Sequence, residues 1–111
     1  MSEQHLHALP RLMDITDFAP FVEGLDHPEG VACGPNGEIY AGGEAGQIYR
    51  ISLDGEVEQI ASTGGFILGL CLDAAGAIYA CDMGHHEVVR IAQDGTISTW
   101  SKGAPDPPMR V

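Results

Sequence analysis

Two stretches of this chain carry one pattern. Residues 30–55 read GVACGPNGEIYAGGEAGQIYRISLDG, and residues 69–95 read GLCLDAAGAIYACDMGHHEVVRIAQDG. Gly37 aligns with Gly76, Ile39-Tyr40-Ala41 with Ile78-Tyr79-Ala80, Arg50-Ile51 with Arg90-Ile91, and Asp54-Gly55 with Asp94-Gly95. The offset is 39 residues at Gly37 and 40 at Arg50, so the loop between them is one residue longer in the second copy. A period of about 40 residues, made of short apolar runs parted by Gly or Asp-Gly turns, marks a β-propeller blade. Such repeats bury their faces against neighbours, and two cannot close a ring. The expected fold is all-β: two four-stranded blades of an incomplete ring, a fragment of a larger propeller.

Each copy divides into four strands. The first blade reads as strands at 30–34, 38–42, 47–51 and 57–61, the second at 68–73, 77–81, 87–91 and 96–100. Pro35-Asn36-Gly37 has turn chemistry, since Pro presets φ and Asn and Gly accept positive φ. Asp54-Gly55 is a hairpin signal. In the last strand of the first blade, alternation puts Val57, Gln59 and Ala61 on one face and Glu58 and Ile60 on the other. No helical periodicity of useful length occurs. Residues 18–22 (FAPFV) form a short extended run before the first copy. The expected division is 1–17 as a flexible lead-in, 18–26 as a strand for the last blade, 27–63 as blade one, 64–101 as blade two, and 102–111 as a connecting loop toward a third.

Charge narrows the functions. Sixteen acidic and 5 basic residues leave a formal net charge of −11. That excludes nucleic acid, whose phosphates need Lys and Arg, and disfavours anionic membrane surfaces. The three cysteines have no CxxC spacing, and Cys33 and Cys71 fall in inner strands, where a small apolar filler is expected. The first residues carry no apolar core or cleavage pattern, and the longest apolar run, 66–72, is far below the ~20 residues of a membrane helix. The expected compartment is the cytoplasm.

The segment His27-Pro28-Glu29-Gly30-Val31-Ala32, followed by GPNGEIYAGGEAGQIYRI, resembles the opening blade of the family of senescence marker protein (regucalcin), gluconolactonase and luciferin-regenerating enzyme. It is also similar to the related strictosidine-synthase-like proteins, with Pro28-Glu29 and Tyr40-Ala41-Gly42 standing for their Gly-Pro-Glu and Tyr-Thr-Gly motifs. IYACDMGHHEVVRI resembles an NHL-type blade. The resemblance implies the first two blades of a six-bladed β-propeller with a divalent metal, usually calcium, at one end of its channel. It implies a lactone hydrolase acting on a small-molecule substrate, with Glu29 as a metal ligand and the catalytic acid or base on blades outside this sequence. Lactonases commonly read Glu-Gly-Pro, whereas this chain has Glu29-Gly30-Val31. That departure keeps open a strictosidine-synthase-like protein, in which the matching Glu need not bind metal, and an NHL-type propeller that only binds a ligand or protein.

Other residues read more plainly. His27 and Asp82 are candidates for the channel mouth, facing substrate. The structural reading of Asp82 is a brace for its hairpin, holding His86 or Arg90. Glu44, in the matching loop of blade one, is expected to face solvent. Arg50 and Arg90 suggest a repeated structural contact, Tyr40 and Tyr79 core, and Trp100 packing against a neighbouring blade. A homo-oligomer is the alternative to a longer chain: three copies would close six blades around three Glu29 side chains.

Overall fold

A computed structural model of the chain describes residues 14–103. A short 3-10 turn, Ile15–Asp17, precedes eight strands. These are β1 (Val31–Cys33), β2 (Ile39–Gly42), β3 (Gln47–Ile51), β4 (Val57–Ser62), β5 (Ile67–Leu72), β6 (Ile78–Asp82), β7 (Glu87–Ile91) and β8 (Ile97–Ser101). They form two antiparallel meanders, β1-β2-β3-β4 and β5-β6-β7-β8. Each expected strand is present, with ends within one residue of the expected bounds. Equivalent turns close both sheets: Gly37 N–H donates to Gly34 O and Gly76 N–H to Asp73 O, both at 3.0 Å.

Strict alternation fails in the outer strands. Ile48 pairs with Ala61 but Tyr49 with Gln59, which leaves Ile60 as a bulge residue. Ile60 and Ala61 therefore both pack on the core, instead of on opposite faces as the two-residue period predicts. Trp100 is the matching extra residue of β8.

The sheets pack face to face. Tyr40 and Ile48 of blade one join Ile67, Ile78, Val89 and Ile91 of blade two in one core. Gly42 makes the approach possible, because a Cβ there would run into the Ile67 side chain. Gln93 ties the junction at its rim. Its Oε1 accepts from Arg50 Nη1 at 2.7 Å, and its Nε2 donates to Gly76 O at 2.6 Å and to the Tyr40 hydroxyl at 2.9 Å. Arg50 also pairs with Glu58 at 2.7 Å.

A second cluster, Ala41, Tyr49 and Ile51, lies on the other face of blade one under Val22 and Leu25. Residues 18–26 form no strand. The lead-in ends in the Ile15–Asp17 turn, while residues 1–13 and most of the expected connecting loop, 104–111, lie outside the described residues. Cys33 and Cys71 do lie in inner strands, but both are exposed rather than filling space, because each stands opposite a residue (Ile39, Tyr79) on the sheet face that does not meet the other blade. Among the described residues no helix is long and apolar enough to cross a membrane.

Candidate functional site

In a meander, the loop leading into the inner strand and the hairpin between the second and third strands fall at the same end. Here that end carries all three candidate residues. Thr63 N–H donates to Gly46 O and Ile67 N–H to Gly43 O, joining the loop before β5 to the β2–β3 hairpin of blade one. Met83 N–H reaches Phe66 O at 2.7 Å and extends the same network to the β6–β7 hairpin.

His27 sits just before β1 with φ of 41°, a left-handed conformation that costs a non-glycine residue. Its Nδ1 lies 3.1 Å from Asp26 Oδ1 and 2.9 Å from Glu44 Oε2. Asp26 is fixed from several sides: Oδ2 accepts from Gln47 Nε2 at 3.0 Å and Ala45 N–H at 3.2 Å, and its own N–H donates to the Tyr49 hydroxyl at 3.3 Å. The bond from Gln47, then that from His27, holds the Asp26 carboxyl below its usual range. The His27 imidazole is raised in turn, first by Asp26, then by the charges of Glu44 and Glu29. Asp26, His27 and Glu44 offer one ligand atom each within 4.8 Å of one another.

Glu29 stands outside that triad, exposed, two residues before β1. The structure thus brings His27 together with Asp26 and Glu44, which the sequence reading did not single out as site residues. The partnership of His27 with Glu44 was legible only once the hairpin carrying Glu44 was known to fold back onto the loop before β1.

Asp82 is fully buried. Its Oδ1 accepts from Phe66 N–H at 3.2 Å and His85 N–H at 3.1 Å, and its Oδ2 from His85 Nδ1 at 2.7 Å. The expected brace is present with a different partner: His85 takes the place assigned to His86 or Arg90. The hairpin is one residue longer than in blade one, and His86 takes the left-handed position (φ 56°) that Gly46 (φ 89°) fills there, while half-exposed His85 reaches Asp82. Gly65 must lack a side chain, because a Cβ would strike the Asp82 carboxylate.

Burial pushes the Asp82 carboxyl up, but hydrogen bonds from His85, Thr63 and Phe66 outweigh it and hold it below its usual range. The same pair raises His85 above 6.5. An Asp lowered on folding stabilises above its unfolded pKa, and that contribution fades as pH falls through the folded value. A His raised on folding stabilises below 6.5, and its contribution fades as pH rises through the folded value. Thermal stability is therefore expected to plateau between about pH 4 and 6.5 and to fall on both sides. Melting curves across pH check this, and H85Q should flatten the alkaline limb.

The strictosidine synthase-like N-terminal family matches residues 18–51. Among solved structures, virginiamycin B lyase from Staphylococcus aureus aligns at 21% identity with a TM-score of 0.59, over 71% of this chain and 28% of the lyase. A gluconolactonase from Xanthomonas campestris aligns at 22% identity and 0.57, over 79% and 31%. Regucalcin, a calcium-binding protein from Agrobacterium tumefaciens, aligns at 25% identity and 0.56, over 62% and 28%. No curated protein sequence matches the chain. The chain spans under a third of the length of each of these three structures. The two sheets are blades of the propeller type shared by gluconolactonase, regucalcin and streptogramin B lyase, and the first of them is strictosidine synthase-like in sequence.

Proposed function

We propose that this chain supplies two blades of a six-bladed propeller that hydrolyses a lactone or related cyclic ester, with a divalent cation, calcium by expectation, at its channel mouth. The observation that carries the reading is the exposed Glu29 just ahead of the inner strand, at the end shared with Asp26, His27 and Glu44. The carboxylates of Glu29, Asp26 and Glu44 suit a hard cation in kind, with the His27 imidazole as the one nitrogen donor beside them and no thiolate. Glu29 is the ligand, since Asp26 already serves Gln47 and Ala45. A cation held there supplies Lewis-acid polarisation of an ester carbonyl. His27 faces the substrate, Asp82 holds the mouth loops in place, and residues 18–26 contribute to the last blade. The cytoplasm is the proposed compartment.

Calcium takes about six to eight oxygen ligands, far more than Glu29 offers, so the isolated chain should bind with Kd of about 10⁻³ M or weaker. Calorimetric titration with calcium chloride should show that weak binding and lose it in E29Q, with circular dichroism unchanged. Binding that survives E29Q removes Glu29 from the site. The match at residues 18–51 favours a second reading, a strictosidine synthase-like propeller in which Glu29 holds no metal. A parent chain that binds no calcium points there.

A further inference from the structure

Both blades place a histidine at the mouth end with its Nδ1 against an aspartate. His27 lies 3.1 Å from Asp26, and His85 lies 2.7 Å from Asp82. The two pairs differ in what surrounds the carboxylate. The side chains of Asp26 and His27 are 35% and 79% exposed, so water competes with their contact. The Asp82 side chain is 0% exposed, while the His85 ring bound to it is 50% exposed. Only the blade-two pair joins a dry carboxylate to an open imidazole.

The hairpin does not need that ring as a brace. Asp82 Oδ1 accepts from the N–H groups of Phe66 and His85, and the Thr63 side chain adds a further bond to the carboxylate. These bonds fasten the loop before β5 to the β6–β7 hairpin. The bond from His85 Nδ1 to Oδ2 fixes only the imidazole itself. An ionised carboxylate can only accept, so the proton of this bond sits on Nδ1 and the lone pair on Nε2. Among the described residues nothing bonds Nε2.

We propose that His85 is a general base for ester hydrolysis at this mouth, its Nε2 activating water, with Asp82 as the positioning residue behind it. The assignment rests on the ester-hydrolase reading and supplies it with a base inside this chain. Water bound at Nε2 gives up a proton to the ring as its oxygen bonds the ester carbonyl carbon. The bond to the alkoxy oxygen then breaks, and Nε2 returns the proton to that oxygen. An ester yields an acid and an alcohol, and a lactone yields a hydroxy acid.

The bond to Asp82 first, then its charge and that of Glu87, raise the imidazole against a lowering effect of burial; these are the charged groups that act on the ring. A stronger base is a better proton acceptor, and the ring accepts only when neutral. The rate should therefore rise as pH climbs through the folded value of His85.

Hydrolysis of p-nitrophenyl acetate by the chain, in EDTA, tests this without any metal. The parent should outpace free imidazole at equal concentration. H85N, which keeps a donor near the place of Nδ1 but has no base, should lose about tenfold or more of that rate with circular dichroism unchanged. H86Q should keep it. D82N removes the charge behind the ring and should move the midpoint of the rate profile to lower pH, which loss of a brace alone would not do. Equal rates in H85N and the parent, or a parent no faster than imidazole, overturn the assignment of His85. An unmoved midpoint in D82N removes Asp82 from it. The calcium site stands or falls on the E29Q titration, so the two failures are read separately.

Discussion

Ile67→Ala is expected to lower unfolding stability by about 3 kcal/mol, within the ~2–5 kcal/mol typical of emptying a buried branched aliphatic site. Ile67 is 0% exposed and sits where β5 closes on β2, against Gly42. Its side chain belongs to both blades at once, so the space left cannot collapse without moving one sheet relative to the other. Small domains have only about 5–15 kcal/mol to lose, and a chain with an uncovered blade face starts low in that range. Urea unfolding should show a midpoint lowered by about 1 M or more. Val57→Ala, at a 43% exposed position, should stay within about 0.5 kcal/mol and serves as the control. A loss at Ile67 no larger than the control would mean that the two blades do not share a core.

Asp82→Ala is expected to cost about 3 kcal/mol by a different route. The carboxylate takes two backbone donors, Phe66 and His85, one imidazole donor and the Thr63 side chain. A buried donor left without a partner costs about 1–3 kcal/mol. Water can reach the His85 ring, which is half exposed, but the Phe66 N–H is only partly accessible and carries most of the loss. Asp82→Asn keeps the shape and one acceptor oxygen, so it should fall between wild type and alanine. Amide exchange gives the sharper readout, because Phe66 O also receives the Met83 N–H. Protection at Phe66 and Met83 should drop together in Asp82→Ala, while β3 stays protected. Loss spread evenly over both blades would show that Asp82 acts on the whole fold and not on the loops at the candidate mouth.

Much of the architecture is written locally. The 39-to-40-residue repeat, the Pro-Asn-Gly and Asp-Gly turns and the alternating runs specify eight strands and their order, because hairpin pairing depends on residues close in sequence. Glu29 and His27 were legible for the same reason, since both precede the first inner strand. What the sequence could not show depended on contacts between distant segments. The bulge at Ile60 answers to the packing of blade two, and so breaks the alternation that Val57, Gln59 and Ala61 suggest. The partnership of His27 with Glu44 needs the β2–β3 hairpin folded over the entry loop, 17 residues away in the chain. Asp82 bonds His85 and not His86 where His86 fills the left-handed position that Gly46 holds in blade one, a backbone arrangement that composition does not reveal. The sequence by itself determined the blades. Only the tertiary structure decided which face of each is covered and which carboxylates meet at the mouth, because both depend on how one sheet lies on the next.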